Sequence, residues 1–338
     1  MNTSTKVICT IGPASWTPDM MAKLQKAGMA IARFNFCHIV KAEQVQAARK
    51  LGLAVMLDSQ GPDVRIGLFK DGKITVNAGQ TFKFYFGEKN KGIMGDENGV
   101  YVPYEKLLKI VKKGSKLALN DGHVVMEVTE IKDNIITAKV IAGGVLKDRK
   151  SLAAPGYDLQ LPFISPEDEA DFLFGIENKM DWVAASAVMK PQDVIDLREF
   201  LKKHGGEKMK IMSKIEDRIG VSNIDKIIEL SDAIMVARGG LGTDIGLENL
   251  PPTQKMLVAK TRKAGKIAVV ATEMLESMTD KPNCTRAEAS DVANAVWDGA
   301  NFVMLSGETA AGKYPVECVE FMYRTIAVAE KHKEYFRK

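Results

Sequence analysis

The chain has 338 residues, 46% of them hydrophobic and 27% charged, with a net charge of +4. That length holds two domains or one large barrel with an insertion, and the composition is that of an ordinary soluble globular protein. The charge excess is too small to argue for a nucleic-acid partner, although it suits an anionic substrate. No apolar run is long enough to span a membrane, and the N-terminus shows no signal-peptide pattern. Cys9, Cys37, Cys284 and Cys318 form no C-x-x-C pair, so reduced thiols in the cytoplasm are expected.

Taken in order, the chain alternates apolar runs of strand length with segments of helical spacing. Strands are expected at 6–12, 31–36 and 53–59, with helical pieces at 17–28 and, after the second strand, through Leu51. From about 68 to 146 the pattern changes to period two, broken by Asp71-Gly72, Ala78-Gly79 and Asn120-Asp121-Gly122. Those are β-turn signals, so a small all-β insertion is expected there. Ser165-Pro166-Glu167-Asp168 reads as a helix start with proline at its first position. Five further strands follow at 182–188, 210–216, 233–239, 266–273 and 302–307, and a last helix at 315–331. Three strands before the insertion and five after it predict an α/β fold, a (β/α)8 TIM barrel with a β-rich lid inserted after strand three. The barrel comprises 1–67 and 152–338, the lid 68–151. A doubly wound sheet is the alternative, but no nucleotide glycine fingerprint follows the first strand.

In such a barrel the active site lies at the C-terminal ends of the strands. Polar residues stand at each expected end: Thr10, Arg33 with Asn35 and Cys37, Asp58-Ser59, Ser186, Lys214 with Glu216, Arg238-Gly239-Gly240, Thr272-Glu273, and Ser306 to Thr309. Lys214 and Glu216 are two apart, so on a strand they share a face. Arg33, Asn35 and Cys37 are expected on one face by the same rule. Arg33 and Arg65 suit a forked clamp on phosphate oxygens. Asn35, Asp58 and the backbone near Ser59 offer oxygens for a hard monovalent cation, and Glu216 offers a carboxylate for Mg²⁺. Lys214 stands where it can stabilise a developing oxyanion or a transferring phosphoryl group. The glycines after Arg238 let backbone amides turn towards an anion, as at a helix N-terminus; the plainer reading is a surface ion pair and a glycine turn. His38 is weaker evidence, because a lone histidine after a strand is more often structural.

These residues also carry a resemblance. Thr5-Lys6-Val7-Ile8-Cys9-Thr10-Ile11-Gly12-Pro13-Ala14-Ser15, Ala32-Arg33-Phe34-Asn35-Phe36 and Leu57-Asp58-Ser59-Gln60-Gly61-Pro62-Asp63-Val64-Arg65 resemble the pyruvate kinases. So do Ile211-Met212-Ser213-Lys214-Ile215-Glu216, Met235-Val236-Ala237-Arg238-Gly239, Met274-Leu275-Glu276-Ser277-Met278 and the run from Thr285 to Val296. The resemblance implies transfer of a phosphoryl group from phosphoenolpyruvate to ADP, giving pyruvate and ATP, with Mg²⁺ (or Mn²⁺) and K⁺ as cofactors. It implies Lys214, Arg33 and Thr272 as catalytic residues, and Ser186, Gly239, Gly240 and Thr272 around the substrate. Pro13, His38, Arg65 and Lys150 would meet the nucleotide. Glu216 would hold Mg²⁺, and Asn35, Cys37, Asp58 and Ser59 would hold K⁺. A cytoplasmic glycolytic enzyme is implied, and a homo-oligomer through barrel helices fits it.

The sequence departs from the family where metal chemistry is expected. Gly240 stands where the family has a second metal-binding Asp, and Glu273 where it usually has Gln; Glu273 is therefore a candidate compensating carboxylate. Cys37 replaces a serine ligand of K⁺, and thiols suit hard alkali cations poorly. Gln60 replaces a lysine, Met189 an arginine, and Ala153-Ala154 an Asn-Leu pair. The chain ends after the last expected barrel helix, so no counterpart of the family's C-terminal regulatory domain is expected. Two other readings follow from the departures: a catalytically impaired ligand-binding relative, and a Mg-dependent 2-oxo acid lyase or decarboxylase on the same barrel.

Overall fold

The computed structural model describes residues 3–120 and 122–333. Eight parallel strands close into a barrel: Lys6–Ile11, Met29–Asn35, Ala54–Asp58, Trp182–Ala185, Lys210–Ile215, Ala233–Ala237, Ile267–Ala271 and Phe302–Leu305. Each pairs with the next in chain order, and the eighth pairs with the first, Phe302 opposite Lys6. Parallel strands covered on both faces need continuous apolar runs, and Val, Ile, Ala and Met supply them. Inside the barrel, Ile8, Met56, Met212, Met235, Val269 and Met304 are buried together. Methionine, unbranched and adaptable, suits that irregular interior. Helices between the strands start at legible caps. The Thr17 hydroxyl accepts from the Met20 amide ahead of Pro18, and Ser165 and Asp168 cap each other reciprocally, as do Thr285 and Glu288.

Most strands end one to three residues before the expected positions. Pairing stops at the barrel mouth, and the polar residues that continue the sequence alternation lie in loops. Three details differ in kind. Arg238 and Gly239, expected at the end of strand six, instead open the helix Arg238–Ile245, and neither Gly239 nor Gly240 has positive φ. Cys37 is not on the face of Arg33 and Asn35. It lies exposed in the turn after strand two, where its amide donates to Asn35 Oδ1 at 3.1 Å. Glu308 and Thr309 are fully buried struts rather than mouth groups. The Glu308 carboxylate accepts from the Leu275 and Ser306 amides, and the Thr309 hydroxyl donates to the Thr10 carbonyl.

Contacts divide the chain into two compact units, the barrel and a second unit of Pro62–Pro162 with Thr243–Gly246. The second unit holds a six-stranded mixed sheet, in spatial order Leu152–Ala153, Lys116–Leu119, Val124–Lys132, Ile135–Ala142, Thr81–Tyr85 and Gly99–Tyr101. A two-stranded pair, Lys73–Val76 with Gly144–Lys147, adds to it. Phe69, Phe82, Phe84 and Phe86 lie in its core at no more than 1% exposure. The turn at Asp133-Asn134 has positive φ at both residues, 50° and 59°, as a two-residue hairpin turn needs. Gly72, Gly79 and Gly122 take positive φ at the expected turns, and Asp121 lies outside the described residues. This unit is wider than 68–151 because its connecting segments belong to its core. Val64, Ile66, Leu152 and Ala154 are buried there, and Leu152 and Ile66 donate backbone hydrogen bonds to Val64 and Lys150. Among the described residues no helix is long and apolar enough to cross a membrane.

Candidate active site

At the barrel mouth the strand tips bring four charges into a chain of alternating sign. Arg33 Nε donates to Asp58 Oδ2 at 2.7 Å, Lys214 Nζ to Asp58 Oδ1 at 2.9 Å, and Lys214 Nζ lies 3.1 Å from Glu216 Oε1. Asp58 is 1% exposed, so its ionised form survives only because both oxygens are paired. Burial pushes its pKa up, but the Arg33 and Lys214 charges outweigh that and hold it below the ordinary carboxylate range. Burial likewise pulls the Lys214 pKa down, and Asp58 and Glu216 more than reverse it, so Lys214 stays a cation at any ordinary pH.

Neutral groups finish the arrangement. Arg33 Nη1 donates to the Thr10 hydroxyl at 2.6 Å, and that hydroxyl donates to the Leu305 carbonyl. Ser186 is 4% exposed; its hydroxyl donates to the Ser59 carbonyl at 2.7 Å and accepts from Lys214 Nζ at 2.6 Å. The Ser186 amide donates to Ser59 Oγ at 3.0 Å. Two Lys214 N–H donors are therefore occupied, by Asp58 and Ser186, and Glu216 adds an ion pair at 3.1 Å. The Glu216 side chain is the most exposed of the charged partners, at 25% against 1% for Asp58.

Strands six and seven meet beside this chain. The Gly239 amide donates to the Thr272 hydroxyl at 2.9 Å, and that hydroxyl donates to the Ala271 carbonyl at 2.6 Å. Thr272 and Glu273 both adopt left-handed backbone, φ +73° and +52°. For a β-branched threonine this is a genuine outlier, costing about 1–3 kcal/mol. The reversal also removes the strict strand alternation that would turn Glu273 away from Thr272. Glu273 itself is exposed, and after burial and Glu308 its charge is the next cause of the raised Glu276 pKa. Its field thus acts on the acidic loop after strand seven.

Two cation sites can be tested against these atoms. A Cβ built on Gly240 would lie 3.1 Å from Glu216 Cβ, so a side chain at 240 would stand against Glu216, and glycine leaves that cradle empty. Among the described residues no group of three or more His, Cys, Asp and Glu is arranged to hold a metal. One carboxylate with substrate oxygens and water still fits Mg²⁺, which keeps much of its hydration. For K⁺, Asn35 and Asp58 are register partners on adjacent strand tips, which suits a shared ion. The set is weakened because Asp58 is already neutralised by two cations and Cys37 offers sulfur.

The structure brings together Arg33, Asn35, Asp58, Ser59, Ser186, Lys214, Glu216, Gly239, Gly240 and Thr272 on the barrel. Pro13 and His38 are exposed in the loops after strands one and two. Arg65 and Lys150 belong to the second unit, where Arg65 pairs with Asp63 at 3.2 Å. Sequence reasoning missed Arg238 as a working side chain. One signal was available: a cation at a helix N-terminus opposes the helix dipole and so needs another use.

Comparison with known proteins agrees with this geometry. Residues 2–319 match the family described as "Pyruvate kinase, barrel domain". The chain is 40% identical over 340 residues to a pyruvate kinase of Clostridium perfringens, covering 98% of this chain and 71% of the relative. It is 43% identical over 339 residues to a pyruvate kinase of Bacillus licheniformis, covering 97% of this chain but only 57% of the relative. A crystal structure described as a pyruvate kinase from Cryptosporidium parvum superposes with a TM-score of 0.91 at 38% identity, over 97% of this chain and 70% of that one.

Proposed function

The chain belongs to the pyruvate kinase family, and from the geometry of its barrel mouth we propose that it transfers the phosphoryl group of phosphoenolpyruvate to ADP. The observation that carries this reading is the chain Arg33–Asp58–Lys214–Glu216 with Ser186 behind Lys214. Phosphoryl transfer asks a protein for position and positive charge more than for covalent chemistry. Lys214 supplies a permanent cation at a fixed place. Two of its donors are held by Asp58 and Ser186, and the more exposed, ion-paired Glu216 is the partner that gives way to a phosphoryl oxygen. Arg33 is pinned by Asp58 and Thr10 and offers its remaining N–H groups without reorganising.

As the phosphorus–oxygen bond to enolpyruvate breaks, a bond to the terminal phosphate oxygen of ADP forms, and the enolate then takes a proton on carbon. Gly239 and Gly240, at the start of their helix, suit the substrate carboxylate. The Gly239 amide becomes available when the Thr272 hydroxyl releases it, and that hydroxyl is then free to turn toward the enolate. Glu216 would hold Mg²⁺ or Mn²⁺, which when bound supplies positive charge to phosphate and enolate oxygens. Asn35, Asp58 and Ser59, with Cys37 nearby, would hold K⁺ weakly. Pro13, His38, Arg65 and Lys150 would serve the nucleotide. On this reading the chain would act in glycolysis, in the cytoplasm.

A second reading has one observation in its favour. With Gly240 in place of a carboxylate, the divalent site has a single protein charge, which would leave a ligand-binding relative with little turnover. A coupled assay for ATP from phosphoenolpyruvate and ADP, with Mg²⁺ and K⁺, separates the two. Turnover that rises with K⁺ and saturates late is expected. Binding of phosphoenolpyruvate without any ATP would establish the second reading instead.

A further inference from the structure

Arg238 makes contacts that its position does not explain. The residue opens the helix whose next two residues are Gly239 and Gly240, yet its guanidinium folds back to the tip of strand seven. Nε lies 3.2 Å from the Ala271 carbonyl and 3.1 Å from that of Thr272, and Nη2 donates to the Thr272 carbonyl at 2.6 Å. Nη1 pairs with Asp291 at 2.7 Å and reaches Gln254 Oε1 at 3.4 Å. The Arg238 side chain is 11% exposed, so Asp291 is needed to balance a charge with little water around it. The carbonyl it grips most closely belongs to Thr272, the residue with the least favourable backbone at the mouth, and Glu273 after it is also left-handed. The next residue, Gly239, fixes the same threonine from the other side, its amide donating to the Thr272 hydroxyl. Two consecutive residues of one helix start thus hold both the carbonyl and the hydroxyl of one strained threonine.

We infer that Arg238, anchored by Asp291, is a positioning residue: it holds Thr272 in left-handed backbone and so aims the Thr272 hydroxyl at the helix N-terminus where the substrate carboxylate and enolate would lie. Strained conformations persist where the surroundings over-determine them, and here the guanidinium fork supplies that constraint. Lysine, a point charge, could balance Asp291 but could not span two carbonyls and a carboxylate together. This inference rests on the phosphotransfer reading of the same mouth.

The test uses the whole chain, with Arg238→Met, Arg238→Lys, Thr272→Ala and the double Arg238→Met/Thr272→Ala. If Arg238 acts through Thr272, Arg238→Met lowers kcat for phosphoenolpyruvate and ADP by about 10²-fold, the scale of a small misplacement, with KM for ADP unchanged. Arg238→Lys recovers part of the loss, and adding Arg238→Met to Thr272→Ala costs nothing further. Losses that multiply in the double variant, or a change in thermal midpoint with kcat intact, overturn the inference. A second measurement needs no turnover. The carbon-13 shifts of Thr272 Cα and Cβ report its backbone region, and Arg238→Met is expected to lose the left-handed signature; retention overturns the inference. If the unaltered chain makes no ATP, the phosphotransfer reading fails, while the shifts still decide whether Arg238 holds Thr272. Should Arg238→Met not fold, Asp291→Asn loosens the guanidinium from its far end and carries the same measurements.

Discussion

Asp58 is the residue on which the mouth depends, because two cations with little exposure share its one carboxylate. Asp58→Asn leaves Arg33 facing an amide and Lys214 with Glu216 as its remaining anionic partner. Breaking a buried pair from one side costs about 3–5 kcal/mol, and a loss of that size in denaturant unfolding at neutral pH is expected. The pH dependence has a defined sign. In the unfolded chain Asp58 titrates near the ordinary aspartate value of 3.8, and in the folded chain below it. Its stabilisation is therefore fully present above about 3.8 and disappears as pH falls through the lower folded value. The stability gap between the two proteins should stay constant from neutral pH to about 4 and narrow below that; a gap that narrows only above neutrality would contradict the assignment. Lys214→Met is the complementary change, because Asp58 keeps Arg33 and the barrel keeps its fold. Loss of one preorganised charge in the transition state costs about 10²–10³ in kcat, and turnover near that of the unaltered chain would remove Lys214 from the mechanism. Both residues were legible in the sequence, as charges at the ends of apolar runs. Their partners were not, since nothing in the spacing of Arg33, Asp58 and Ser186 says that each touches its neighbour across a barrel.

The helix Arg238–Ile245 shows what a sequence pattern can and cannot carry at the scale of an element. An apolar run followed by Arg-Gly-Gly reads as a strand whose glycine amides turn towards an anion as at a helix start, and both are present; the point where strand gives way to helix was hidden, because two glycines have poor helix propensity. The tip of strand seven was hidden more deeply. No composition marks a threonine at φ +73°, and the alternation that placed Glu273 on the far face holds only while the chain remains a strand. The helix start also sets the expectation for the divalent metal. A side chain at 240 would begin 3.1 Å from Glu216 Cβ, so its neighbour must shift by a few tenths of an ångström, and the two carboxylates of Gly240→Asp and Glu216 would then stand side by side. The helix N-terminus favours the added negative charge. Gly240→Asp should tighten Mg²⁺, seen as a larger metal-dependent rise in thermal midpoint, and raise turnover if the carboxylate-binding amides stay in place. Glu273→Gln should leave the Mg²⁺ titration nearly unchanged, because Glu273 is exposed beside the acidic loop. If Gly240→Asp leaves metal affinity unaltered, the ion is not held at strand six.

Over the whole molecule the two-unit plan was readable because periodicity changes with architecture. Continuous apolar runs belong to strands buried on both faces, and alternation with Gly-containing turns belongs to sheets with one covered face. The limits of the second unit were less readable, because Val64, Ile66, Leu152 and Ala154 look like linker yet are core. A unit of this size with its own buried phenylalanines can unfold as a cooperative block of its own. The chain contains the means to see this. Its three tryptophans, Trp16, Trp182 and Trp297, all lie in the barrel unit, so tryptophan fluorescence reports the barrel alone, whereas calorimetry reports both units. Phe82 is fully buried in the second unit and packs edge-on against Phe84 at 5.4 Å between ring centroids. Phe82→Ala should cost that unit about 3–5 kcal/mol. The expected result is a calorimetric transition moved to lower temperature while the fluorescence transition stays where it is. Independent blocks require that separation, because a shared transition would lower both signals together. Coincident shifts in the two signals would show that the units unfold as one, and that the insertion, although it has a core of its own, draws its stability from the barrel.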